Sequence, residues 1–215
     1  MAWDEALFSF AWGGARRLLA SGPSPQVLER RVSVEPERTR LEALARLLTG
    51  APITVTLTDD DGGVSGHTFF LPRHVDFAPT LELNREALVL RIAWSAVAST
   101  FRPALTGSPL LDMALLAPRV RGRLLEEFPS LAVSLPRLER ALADARVAPP
   151  AHDTASQAIE ATVRLALEQA SDDRLSAGAW AWARAARDGA NTALPTSRGA
   201  WWRSKPTLAP VPLWG

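Results

Sequence analysis

A short strand-turn-strand stretch inside an otherwise helical pattern most limits the folds open to this chain. In residues 53–58, Ile53, Val55 and Leu57 alternate with Thr54, Thr56 and Thr58, the period of two that marks a strand buried on one face. The run Asp59-Asp60-Asp61-Gly62-Gly63 supplies turn chemistry, and residues 64–71 read as a return strand closed by Pro72. An antiparallel hairpin over 53–71 is the economical reading. The three aspartates lack the spaced oxygen series and closing glutamate of a calcium loop, so they read as a solvated turn.

On both sides of this stretch the apolar spacing is helical. Residues 3–20 carry Leu7, Phe8, Trp12, Ala15, Leu18 and Leu19 at helical intervals, interrupted by Gly13-Gly14 and ended by Ser21-Gly22-Pro23. A second helix places Pro36 in its first turn, Leu41, Leu44, Ala45 and Leu48 on one face, and Gly50 at its C-terminal cap. Asn84 is placed to cap a third, which ends before Arg102-Pro103. Prolines then divide the pattern into helices over 104–117, 118–128 and 136–146, followed by 151–170 and 172–189. In the 151–170 segment, Ala155, Ala166 and Ala170 offer small surfaces for close helix packing. The fold class is therefore mainly α with a small β-hairpin (α+β). One helical domain is expected over 1–189 with a single short antiparallel strand pair and a candidate sub-boundary at 147–151.

Composition removes several classes of function. The chain has 215 residues, 47% of them hydrophobic, and no apolar run of membrane-spanning length, so a packed core without membrane insertion is expected. With no cysteine, disulfides and thiolate metal sites are excluded. The start Met1-Ala2-Trp3-Asp4-Glu5 is acidic where a secretory signal is basic, which reads as cytoplasmic. A net charge of +1 with interspersed signs gives no bulk case for nucleic acid. Lys205 is the sole lysine among many arginines, a bias that reads as compositional, although the guanidinium fork also suits protein interfaces.

Catalytic motifs are lacking. There is no GxxxxGK[ST] phosphate loop and no GxGxxG opening a helix after a strand. His67, His74 and His152 do not have the i, i+4 spacing that aims two imidazoles at one metal. A zinc-peptidase reading, prompted by strands followed by a helix, meets Ala93, Trp94, Ser95, Ala96 and Val97 where His-Glu-x-x-His would be needed. Glu126-Glu127 and Asp172-Asp173 read as solvated charge near helix ends. No catalytic, cofactor-binding or metal-binding residue is assigned. Residues 190–215 are rich in proline and tryptophan, and aromatic surface of this kind tends to find a groove. Docking within the chain and docking on another subunit both remain open, and Trp201, Trp202, Arg203 and Trp214 are the candidate interaction residues.

The order of several segments resembles a known family. Leu44-Ala45-Arg46-Leu47-Leu48-Thr49-Gly50, the strands, Gly66-His67-Thr68-Phe69-Phe70-Leu71-Pro72 and Asn84-Arg85-Glu86-Ala87-Leu88 follow one another as in the region before the von Willebrand A domain of NorD/CbbO-type activator proteins. The resemblance continues through Pro118-Arg119-Val120 and Leu124-Leu125-Glu126-Glu127-Phe128-Pro129-Ser130-Leu131, covers about residues 41–146, and has a weaker echo in Leu213-Trp214-Gly215. It departs from the family at Ala117-Pro118, where an acidic pair is expected, and in having no von Willebrand A domain and no DxSxS motif. The resemblance implies a non-catalytic adaptor or activator that docks on a MoxR-type AAA+ ATPase to remodel or activate a target metalloenzyme. The alternatives are a structural subunit of an assembly without an ATPase and a degenerate zinc-peptidase-like domain.

Overall fold

The computed structural model describes residues 24–59, 62–102, 106, 108–169, 173–189, 193–195 and 214. The element order is α1 (Pro25–Arg30), β1 (Val32–Ser33), a 3-10 turn (Glu35–Glu37), α2 (Arg38–Thr49), β2 (Thr54–Thr58), β3 (Gly63–Ser65), β4 (Thr68–Pro72) and β5 (His74–Val75). It continues with α3 (Leu81–Ala98), α4 (Pro109–Glu127), a 3-10 turn (Pro129–Ala132), α5 (Ser134–Ala145), α6 (Thr154–Ala166) and α7 (Ala177–Arg187). The described residues are thus mainly helical with a small β part, as the sequence pattern requires.

Helix α3 is the axis of the fold. Leu83, Ala87, Leu88, Leu90, Ile92, Ala93, Trp94, Ala96 and Val97 are all buried, and α2, α4, α5 and the β1–β5 pair pack around it. From Leu90 to Val97 every residue is buried, whereas Glu82, Arg85, Glu86 and Val89 leave one face of the first half in water; the second half, enclosed all round, belongs inside the protein. Its start differs from the cap expected at Asn84. Thr80 is the N-cap, its hydroxyl oxygen accepting from the Leu83 N–H at 3.2 Å, which places Asn84 inside the first turn and fully buried. There Asn84 Oδ1 accepts from the Ala78 N–H at 2.9 Å, and its Nδ2 donates to the carbonyls of Arg30 at 2.9 Å and Ala78 at 3.1 Å. The amide fastens the end of α1 and the approach loop to the central helix, so burial costs it no hydrogen bond.

The expected hairpin gives way to a different pairing. The run 64–71 is split by a Gly66-His67 turn into β3 and β4, which pair antiparallel, and β4 then lies between β3 and β2. β2 runs parallel to β4, with Val55 opposite Phe69 and Leu57 opposite Leu71. Two local features produce this order. Gly66, at φ +55°, makes the tight reversal, and Gly62, at φ +88°, lies against the Phe70 backbone of β4 as the chain enters β3. A Cβ at Gly62 would lie 2.2 Å from the Phe70 carbonyl oxygen and 2.8 Å from Nη2 of Arg91, whereas at Gly66 it would meet nothing within 4 Å. Helix α2, ending at Gly50, shields the outer edge of β2. Glu42 Oε2 accepts from the Val55 N–H at 3.0 Å, Arg46 Nε donates to the Ile53 carbonyl at 2.8 Å, and the two side chains pair with each other. An edge satisfied by its own side chains is a poor template for another strand.

A second correction concerns Pro118, which does not divide two helices: α4 is continuous from Pro109 to Glu127. Leu111, Ala114, Leu116, Ala117, Val120 and Leu124 are buried on both sides of the proline, and that burial outweighs the cost of about 3 kcal/mol for one proline in a helix interior. Beyond it, Ile159 and Val163 of α6 join the main core, while Ala161 of α6 packs with Leu175, Ala179, Trp180 and Ala183 around α7 in a smaller cluster.

The close approach at Gly62 generates a test of the β topology. Gly62→Ala is expected to destabilise the chain by about 2–4 kcal/mol, combining backbone strain with an unrelievable contact on Phe70, and Gly66→Ala by only about 1 kcal/mol. Urea unfolding of both variants checks this, and equal losses would contradict the β2–β4–β3 order.

Candidate functional site

Most interior polar chemistry lies between α4, α5 and α6 and holds helices together. Glu160 on α6 is 1% exposed and receives two guanidinium groups. Arg146, just after α5, donates from Nε to Oε1 and Oε2 at 2.9 and 3.1 Å and from Nη2 to Oε2 at 2.6 Å. Arg164, one turn along α6, donates from Nε to Oε1 at 2.9 Å and from Nη2 to the Arg146 carbonyl at 2.9 Å. Gln157 extends the network, its Nε2 donating to the Pro149 carbonyl at 2.8 Å and its Oε1 accepting from the Ser176 N–H at 2.9 Å. The chain leaving α5, the Pro149-Pro150 passage and the start of α7 are thereby all tied to α6. The signal available in the sequence was Glu160 and Arg164 at i, i+4, but only packing reveals that both are buried.

Glu139 on α5 is the contrasting case. It is 2% exposed and accepts from one guanidinium, Arg121 Nε of α4, at 3.0 and 3.3 Å, with a Glu168 carboxylate oxygen 4.0 Å from the same nitrogen. Burial pushes its pKa from 4.5 up to about 7, a rise that the attraction and hydrogen bonding of Arg121 reduce without cancelling and that the like charge of Glu168 reinforces.

None of this forms a reactive constellation. Among the described residues, no group of three or more His, Asp or Glu side chains is placed to hold a metal ion. His67, His74 and His152 are exposed at separate places. The segment Ala93 to Val97 lies buried in the C-terminal part of α3. Glu126 and Glu127 pair with Arg123 at 3.6 and 2.7 Å at the end of α4, as solvated charge. No described helix is long and apolar enough to cross a membrane.

The proposed interaction residues separate into two groups. Trp201, Trp202 and Arg203 lie outside the described residues. Trp214 is 3% exposed and stacks on Trp94 of α3, with ring centroids 6.1 Å apart and planes 18° from parallel. It is packed on the chain's own core, with Trp94 beneath it.

The outer face of α5 is the feature that sequence reading missed. Pro79, Leu83, Pro136, Arg137 and Arg140 line an open groove of about 270 Å³ between α5 and the start of α3. Val133, 73% exposed, continues the same helix face by one turn.

Comparison with known proteins finds no matching family model, no similar curated protein and no matching solved structure.

Two predictions come from this geometry. Trp214→Ala should lower stability by about 3–5 kcal/mol, as loss of a buried tryptophan does, and thermal unfolding followed by circular dichroism will measure it. A change within error of zero would place Trp214 outside the core. For Glu139, the folded chain holds a proton up to about pH 7 while the unfolded chain releases it near 4.5. Folding therefore takes up a proton between these values, and the Glu139 contribution falls as pH rises through that window and levels off above 7. The loss is roughly 3 kcal/mol across the window. Glu139→Gln should remove it, so the variant gains on the parent from pH 5 to pH 7.5. A constant difference over that range would contradict the assignment.

Proposed function

We infer that this chain is a non-catalytic adaptor that docks on a MoxR-type AAA+ ATPase and presents or remodels a target metalloenzyme or assembly. The observation that carries the reading is the placement of the segments on which the NorD/CbbO resemblance rests. Residues 44–50 end α2, residues 66–72 run through the central strand β4, residues 84–88 form the first turns of α3, and residues 118–131 complete α4 and the turn after it. These are neighbouring parts of one packed body around α3, so the resemblance follows a contiguous unit. An adaptor needs a rigid frame with a complementary surface, and the interior hydrogen bonds of Asn84, Gln157 and Glu160 supply rigidity. In this reading the work is done in the cytoplasm through protein contacts, with the ATPase hydrolysing nucleotide. Trp201, Trp202 and Arg203 are the proposed anchors on the partner.

Affinity purification of the tagged chain from its native cells, with ATP and magnesium present, tests the reading. A stoichiometric AAA+ ATPase is expected in the complex, and a reproducible complex without one would replace the adaptor with a structural subunit. In the same assay Trp201→Ala with Trp202→Ala should reduce partner recovery by about tenfold while the helical circular dichroism is preserved. Loss of the fold in that variant would make the two tryptophans core residues instead.

A further inference from the structure

We propose that the groove on the outer face of α5 is a docking site for an acidic and apolar segment of a partner protein, one in which an apolar side chain is flanked by carboxylates a helical turn apart. This rests on the adaptor reading and names the surface and the chemistry through which it works.

The floor and walls are apolar, made by Pro79, Leu83 and Pro136. The volume of about 270 Å³ falls below the range of about 300–1,000 Å³ typical of small-molecule sites, and it suits one or two protein side chains. Arg137 and Arg140 stand on the rim. They are three residues apart on one helix, so their Cβ atoms lie about 5–6 Å from each other, the spacing at which i, i+3 or i, i+4 carboxylates of an incoming helix repeat.

These two arginines are also unspent. Elsewhere, Arg31 pairs with Asp76, Arg46 with Glu42, Arg73 with Asp59, and Arg123 with Glu126 and Glu127. Arg137 and Arg140 make no ion pair or hydrogen bond among the described residues. The inner face of α5 is fully occupied by Leu135, Leu138, Glu139, Leu142 and Ala143, so Val133, Pro136, Arg137 and Arg140 form its outward stripe. Apolar contact bordered by unpaired guanidinium groups is the pattern of a protein interface centre, where arginine is enriched and lysine depleted. Two cations on a chain of net charge +1 are too few for a nucleic-acid or lipid surface, which takes clusters of four or more.

The test uses the full chain in its native cells with Val133→benzoylphenylalanine, a photo-crosslinking side chain one turn from the groove, and sequences the cross-linked peptide. The expected product is a peptide of another protein with at least two acidic residues within a turn of an apolar one. Its yield should fall about tenfold in R137E/R140E, or in the milder R137Q/R140Q should the first variant melt at a lower temperature. A cross-link to this chain itself, to a second copy, to lipid or to nucleic acid overturns the proposal, as does no cross-link or one indifferent to both arginine variants. If an AAA+ ATPase co-purifies with the parent chain but Val133→benzoylphenylalanine gives no cross-link to another protein, the groove proposal fails and the adaptor reading stands. If no ATPase co-purifies with the parent chain, the adaptor reading fails independently.

Discussion

The enclosure of α3 is the constraint on which the other elements depend. Buried all round from Leu90 to Val97, and on one face before that, the helix positions each neighbour by the apolar surface it brings to that axis. Polar groups on such a helix need partners inside the protein. Asn84 meets this demand with three hydrogen bonds, and in doing so fixes where α1 ends and how the chain enters α3. Trp94 meets it only in part. Its ring is covered by Trp214, while its Nε1 is buried with no hydrogen-bond partner among the described residues, so packing rather than polar satisfaction holds that end of the axis.

Two buried glutamates differ in the number of guanidinium groups that face them. Glu160 receives two guanidinium groups, which compensate for its removal from water and keep Arg146 and Arg164 from being buried without a counter-charge. Removing one member of such a group costs about 3–5 kcal/mol, most of it the exposure of a charge to an apolar interior. Glu139 has a single guanidinium and a competing carboxylate, so desolvation dominates and the proton is held toward neutrality. The same residue type, on consecutive helices, thus has two guanidinium partners in one place and one in the other.

Elements governed by local spacing were legible in the sequence. Helix α2 carries the Leu41 and Ala45 face and ends at Gly50 as read, although Pro36 heads the 3-10 turn before it and not its own first turn, and the alternation of β2 is observed with Val55 buried. What escaped was decided at a distance. The parallel partnership of β2 and β4 depends on a close approach at Gly62, and nothing in the alternating pattern distinguishes it from a hairpin. Pro118 looked like a break because the burial that sustains α4 comes from other helices. Asn84 has the chemistry of a cap, but Thr80, four residues earlier, takes that role while Asn84 is buried in the first turn. Of the candidate interaction residues, Trp214 satisfies the expectation that an aromatic tail finds a groove, and the groove is in its own core. The α5 face was hidden because its pattern is that of any amphipathic helix until Pro79 and Leu83 are seen opposite it.

The near absence of lysine acquires a physical consequence in this setting, whatever its origin in composition. Arg146 reaches both oxygens of Glu160 through two nitrogens in one plane, and Arg164 divides its guanidinium between that carboxylate and a backbone carbonyl. An ammonium group is a compact and strongly hydrated point charge that cannot occupy both sets of acceptors in fixed geometry. At the surface the same group, without an ion pair among the described residues at Arg137 and Arg140, offers a weakly hydrated planar donor beside apolar side chains, which loses less on leaving water than lysine would. One side-chain chemistry thus serves both ends of the proposed role. Inside, its fork locks helices into a frame that does not yield, and outside, its low cost of desolvation makes α5 a face on which a partner's carboxylates can settle.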